Sequence, residues 1–273
     1  MKELGRLLTA MITPFDRSGN VNYQTARKLA KSLVASGSDG LVIGGTTGEA
    51  PSMTDEEKIR LFGEVKEEVG DTASVIAGTT DNNHKKSIEL SVEAERVGVD
   101  ALLLTVPAYN KPTQEGLYEH FKIIASSTSL PGILYNVPSR TSLNMSEDTT
   151  IRLSEIDNIV GVKEASGNLL QMCSICREVP EGFNVLSGDD AFTLALIAVG
   201  GSGVISVAAN EVPEAMTELV NAALNSDLQT ARSLHQRLLP LMQINFLQSN
   251  PIPVKVALEL MGLARARYRL PLV

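Results

Sequence analysis

The sequence predicts an α/β fold, a (β/α)₈ TIM barrel with extra C-terminal helices. Three observations carry that expectation. Short β-branched, apolar runs alternate with amphipathic helical stretches along most of the chain. The alternation gives eight strand–helix units in about 210 residues, and parallel strands require such crossovers. No Gly-x-Gly-x-x-Gly fingerprint follows the first strand, which argues against the doubly wound alternative.

Taken in order, Leu7 to Ile12 reads as the first strand, ended by Pro14, and Tyr23 to Ala35 as an amphipathic helix ended by Gly37. Gly40 to Gly45 is a buried strand. Thr54-Asp55-Glu56-Glu57 is a capping box that opens a helix running to about Val69. Strand Ser74 to Thr79 and helix Asn83 to Val97 follow, then strand Ala101 to Val106 and helix Pro112 to about Ser126. The fifth unit is strand Gly132 to Val137, stopped by Pro138, with helix Ser146 to Leu153. The sixth is Ile159 to Ala165 with the helix carrying Cys173 and Cys176. Phe183 to Ser187 and Asp190 to Val199 make the seventh, and Gly203 to Ala208 the eighth strand. Several helices fill Val212 to Leu263. With no Pro-, Gly- or Ser-rich linker, residues 1–210 are expected to form the barrel, and residues 211–273 a helical extension packed on it as one continuous unit.

Composition narrows the function. The 273 residues are 43% hydrophobic and 21% charged, enough for a substantial core. A net charge of −8, no Lys/Arg run and no tryptophan argue against nucleic acid as a partner. Ala191 to Ala209 is uncharged and long enough to span a membrane, but Gly200-Gly201-Ser202-Gly203 breaks it and its flanks are acidic; helix, glycine turn and strand explain it better. Gly200, Gly201 and Gly203 precede a strand, at the wrong end of a barrel for a phosphate loop. The opening Met1-Lys2-Glu3-Leu4-Gly5-Arg6 does not read as a secretory leader, so the cytoplasm is the expected compartment. The Cys173–Cys176 pair lies inside a helical stretch rather than at a helix start, and reads as two small residues of one face. His84, His120 and His235 fall in separate helices, so no metal site is expected.

Chemistry should collect at the C-terminal strand ends. Lys163 stands out, since lysine is almost never buried unless paired or functional. Apolar surroundings lower its pKa, and a neutral amine attacks carbonyls to form a Schiff base; the plain alternative is a lysine that snorkels to water. Thr46 and Thr47, among Gly44, Gly45 and Gly48, form either a simple turn or a nest for a small carboxylate. Tyr135 is either core or a proton carrier, and Arg140 either surface or a bidentate carboxylate clamp. Tyr109 follows strand four. Asp189 and Asp190 read as the N-cap of the seventh helix.

Taken together, Gly45-Thr46-Thr47-Gly48-Glu49, Tyr135-Asn136-Val137-Pro138-Ser139-Arg140-Thr141, Gly161-Val162-Lys163-Glu164-Ala165, Ser187-Gly188-Asp189 and Gly203-Val204-Ile205-Ser206 are specific. Along essentially its whole length the chain resembles the class I pyruvate-dependent aldolases of the N-acetylneuraminate lyase/dihydrodipicolinate synthase group. Thr46-Thr47 and Arg140 point to the branch that condenses pyruvate with L-aspartate 4-semialdehyde in lysine and diaminopimelate synthesis. The alternative is a relative cleaving N-acetylneuraminate or 2-keto-3-deoxy sugar acids. The resemblance implies that Lys163 forms the iminium, that Thr47 and the main chain at Ile205 hold the pyruvate carboxylate, and that Gly188 lines the pocket. It further implies that Tyr135 shuttles protons, linked through Thr46 to Tyr109 of a neighbouring subunit, and that Arg140 holds the semialdehyde carboxylate. It implies a homotetramer built from dimers and no dissociable cofactor. Lysine-inhibited members carry glutamate where this chain has Lys86, histidines at Asp55 and Lys58, and tyrosine at Ala108, while Asn82 is kept. A cation at 86 repels a lysine ligand, so weak or absent feedback inhibition is expected.

Overall fold

The computed structural model describes residues 4–273; the first three residues of the expected leaderless N-terminus lie outside it. Eight parallel strands close a barrel in sequence order, with the eighth pairing back to the first. The strands are β1 (Leu7–Ala10), β2 (Gly40–Ile43), β3 (Ser74–Gly78), β4 (Ala101–Thr105), β5 (Gly132–Asn136), β6 (Ile159–Glu164), β7 (Asn184–Ser187) and β8 (Gly203–Ser206).

Alternation along these strands sorts side chains into two layers. Val42, Ile76, Leu103, Ile133, Leu186 and Ile205 point inward and fill the barrel. Leu41, Ala77, Leu102, Leu134, Val162 and Val185 point outward under the helices. The same period puts Tyr135, two residues after Ile133, on the inner face, and Lys163 is its register partner on β6. Glu164, one residue on, belongs to the outer layer, where the amides of Asn136 and Gln171 and the backbone N–H of Ser166 donate to its carboxylate.

The helices start where short polar side chains cap them. Thr54 and Glu57 form the reciprocal box that opens α2 (Asp55–Val69), and Asn22 caps α1 (Tyr23–Ala35). Except for β7, which ends at Ser187 as expected, the strands stop one to two residues earlier than the sequence suggests, because their last residues turn into the loops that build the site. Three readings change. Pro138 does not merely stop β5; it opens a short helix, Pro138–Thr141, that carries Arg140, because proline's fixed φ suits a first helical turn. The seventh helix splits into a 3₁₀ turn, Asp190–Phe192, and α8 (Thr193–Ala198). Of the two aspartates only Asp189 caps, accepting from the N–H of Ala191; Asp190 is buried and accepts from Ser206 Oγ at 2.5 Å and from the N–H groups of Val207 and Ala208 at 3.0 Å. Three longer C-terminal helices complete the fold: α9 (Pro213–Leu224), α10 (Leu228–Ile244) and α11 (Ile252–Leu260). Among the described residues no helix is long and apolar enough to cross a membrane.

Candidate active site at the C-terminal barrel mouth

A cavity of about 510 Å³ opens at the C-terminal ends of the strands. Thr46 and Thr47, Tyr135, Arg140, Lys163 and Gly188 line it, and so do Ser139, Ala165, Asp189 and Val207. Six of the eight sequence-derived site residues therefore meet in one place.

Lys163 is 5% exposed and projects inward from β6. Burial pulls its ammonium down to about 8, partly opposed by the Asp190 carboxylate and reinforced by the Arg140 cation. Its Nζ lies 4.3 Å from the centroid of the Tyr135 ring. Tyr135 is also buried, and burial pushes its phenol up to about 12, so it stays protonated at neutral pH. The Thr46 hydroxyl hydrogen-bonds that phenol, while Arg140 acts on it electrostatically. Gly188 has a steric reason to be glycine: a Cβ there would sit 2.7 Å from Ala165 Cβ and 3.1 Å from Lys163 Cγ. The lysine stem passes through the space that the missing side chain leaves.

Two residues stand elsewhere. Ile205 is buried inside the barrel on β8, and the cavity wall is formed instead by Val207. Tyr109 is 92% exposed, has φ 72°, and lines neither this cavity nor the larger one beside it. Within one chain it does not meet Lys163.

The loop between α10 and α11 is the part that sequence reasoning missed. Phe246, Leu247, Gln248, Ser249 and Asn250 all border the cavity, and Asn250 Nδ2 donates to Thr47 Oγ1 at 2.9 Å. The only local signal was a polar Gln-Ser-Asn run ahead of Pro251 between two helical stretches. Nothing local tells that it folds back over the end of β2, some two hundred residues earlier.

A second cavity, of about 720 Å³, adjoins the first across Thr46 and Arg140. Asp55, Lys58, Asn82, Lys86 and Ala108, the five positions singled out for lysine inhibition, all line it. Among the described residues no group of three or more His, Cys, Asp or Glu side chains is placed to hold a metal ion.

A buried, easily deprotonated lysine beside a protonated tyrosine, hydroxyls and a guanidinium suits imine chemistry on a keto acid. Comparison with known proteins agrees with that reading. Residues 3–273 match the Dihydrodipicolinate synthetase family. The chain belongs to the dihydrodipicolinate synthetase family. A member from Moorella thermoacetica named 4-hydroxy-tetrahydrodipicolinate synthase is 57% identical over 269 residues, covering 98% of this chain and 92% of its own. The crystal structure of a Bacillus anthracis dihydrodipicolinate synthase superposes with a TM-score of 0.97 at 45% identity, covering 100% of this chain and 94% of that one. A chloride-inhibited family member from Acinetobacter baumannii, solved in complex with pyruvate, gives a TM-score of 0.97 at 41% identity, covering 99% and 93% of the two chains. Both solved members share this chain's fold over nearly its whole length.

Proposed function

We infer that the protein condenses pyruvate with L-aspartate 4-semialdehyde to give 4-hydroxy-tetrahydrodipicolinate, the lyase step that opens the diaminopimelate route to lysine. The observation that carries this reading is Lys163, buried on β6 with a depressed pKa, its Nζ 4.3 Å from the Tyr135 ring in a cavity that also holds Thr47 and Arg140.

The neutral amine of Lys163 attacks the pyruvate ketone, and loss of water leaves an iminium. The iminium draws electrons from the methyl group; a proton departs and an enamine remains. The enamine carbon attacks the semialdehyde carbonyl, whose oxygen takes up a proton to become the 4-hydroxyl. The semialdehyde's own amine then adds to the regenerated iminium carbon, closing the ring and expelling the Lys163 amine. Tyr135 carries protons to and from the departing hydroxyls, hydrogen-bonded to Thr46. Thr47 holds the pyruvate carboxylate, and Gly188 leaves room for the lysine stem. Arg140, exposed at the mouth on its short helix, receives the carboxylate of the second substrate by two parallel hydrogen bonds. Tyr109 completes the proton path in a neighbouring copy, in a homotetramer assembled as a dimer of dimers. Its exposure and positive φ suit a side chain held out for another subunit. No dissociable cofactor enters, because the iminium is itself the electron sink.

The test separates the two substrates. Replacing Arg140 by alanine should cut turnover with the semialdehyde by about a hundredfold, while borohydride still traps pyruvate on Lys163. Unchanged turnover in that variant would contradict the assignment of Arg140 and favour a relative acting on sugar acids.

A further inference from the structure

The loop that ends β2 is fastened from below by a buried ion pair that the chemistry above does not use. Glu49 and Lys255 are 3% and 0% exposed, and they meet directly through Lys255 Nζ and Glu49 Oε1. Lys255 also donates to the carbonyl of Arg267 at 2.8 Å, and the backbone N–H of Arg269 donates to Glu49 Oε2 at 3.1 Å. Each partner thereby makes a further hydrogen bond beyond their contact, the condition under which a buried charge pair is tolerated.

Its placement is specific. Glu49 has φ 55°, a left-handed conformation that strains any residue with a Cβ. Its backbone N–H closes the turn by donating to the Thr46 carbonyl at 3.0 Å. Thr46 and Thr47 are the two hydroxyls that this turn presents to the cavity. The same helix start that carries Lys255 also reaches Thr47 directly, through Asn250. One end of α11 thus grips both the strained hinge and the hydroxyl beside it.

We propose that Lys255 and Glu49 are positioning residues for pyruvate: their ion pair holds Glu49 in its left-handed conformation and so aims Thr47 into the cavity. This rests on the assignment of Thr47 to the pyruvate carboxylate. Removing one partner would leave a buried charge alone and unfold the chain, so the informative variant removes both, Glu49→Gln with Lys255→Met. In this double variant, half-saturation by pyruvate should rise about tenfold, while kcat and half-saturation by the semialdehyde stay within about threefold of the parent. A pair that serves only stability would lower Tm and leave pyruvate half-saturation where it was, and that result overturns the proposal. Thr47→Val is the parallel control. A rise in Thr47→Val with none in the double variant rejects the positioning role alone. No rise in Thr47→Val removes Thr47 from the pyruvate site and takes the positioning claim with it. Should the double variant not fold, hydrogen exchange on the unaltered enzyme decides. Reducing the pyruvate adduct onto Lys163 should slow exchange in residues 44–53 and 250–258 together; slowing in the first segment only overturns the coupling.

Discussion

At the scale of single residues, Lys163 and Tyr135 divide the chemistry because burial moves their pKa values in opposite directions, the lysine's toward neutrality and the tyrosine's away from it. Lys163, held near 8, is deprotonated by a modest rise in pH. The rate of borohydride trapping with pyruvate should therefore climb from pH 6.5 to a plateau near pH 9, and Lys163→Met should abolish trapping at every pH. Tyr135 keeps its proton across that range, and Tyr135→Phe should lower kcat by about a hundred- to a thousandfold, with trapping retained at a slower rate. Gly188→Ala places a methyl group where the Lys163 stem runs. It should fold, bind pyruvate and trap it at least about tenfold more slowly. Lys163 was legible because a lysine is unusual in a β-branched run, whereas Tyr135 is an ordinary strand residue whose choice between core and proton carrier was made only by the family motif around it. The buried role of Asp190 was not legible, because the second of two adjacent aspartates ahead of a helix reads as a cap until β8 supplies Ser206 and two N–H groups.

Elements explain why those side chains converge. Period-two alternation on β5 and β6 turns Tyr135 and Lys163 to the same face, and the parallel register sets them side by side. The strands and most helices could be read from apolar period and punctuation. What the sequence hid was long-range placement, since the 246–250 loop packs against β2 through contacts that no local pattern encodes. A related contact ties the chain entering α9 to the end of α10, just ahead of that loop. Burial raises the Glu211 carboxyl to about 7, where the Asn245 amide donates to it at 2.8 Å. A folded-state pKa above the unfolded value near 4.5 means that folding favours the protonated form. Its contribution is fully present below pH 4.5 and is lost as pH rises through 7. Between pH 5.5 and 8 the enzyme should lose about 1–3 kcal/mol of stability from this group. Thermal denaturation should show that loss in the parent and not in Glu211→Gln, whose side chain is neutral throughout.

At the scale of the molecule, the barrel closes where Gly203 on β8 meets β1. A Cβ at 203 would lie 2.0 Å from the carbonyl oxygen of Arg6, a main-chain atom with no freedom to retreat. Gly203→Ala should destabilise the protein by about 3 kcal/mol or more, visible as a lowered urea midpoint. Regulation is also a property of the assembled cavities. The second cavity gathers Lys58 and Lys86 with Asn82 and Ala108. Lysine should inhibit the enzyme weakly or not at all at millimolar concentration, and Lys86→Glu should strengthen whatever inhibition exists. The eight-unit count made the barrel readable from sequence alone, whereas Tyr109 could be assigned only through likeness to a family, because within its own chain it is exposed and lines neither cavity.

The condensation itself is tested most directly by pyruvate consumption with purified protein, run in parallel with L-aspartate 4-semialdehyde, N-acetylneuraminate and 2-keto-3-deoxygluconate. Turnover dependent on the semialdehyde, with neither sugar acid cleaved, is the predicted result. Cleavage of a sugar acid without semialdehyde-dependent turnover would contradict it, keeping Lys163 and Tyr135 in their roles and moving Arg140 to a different substrate.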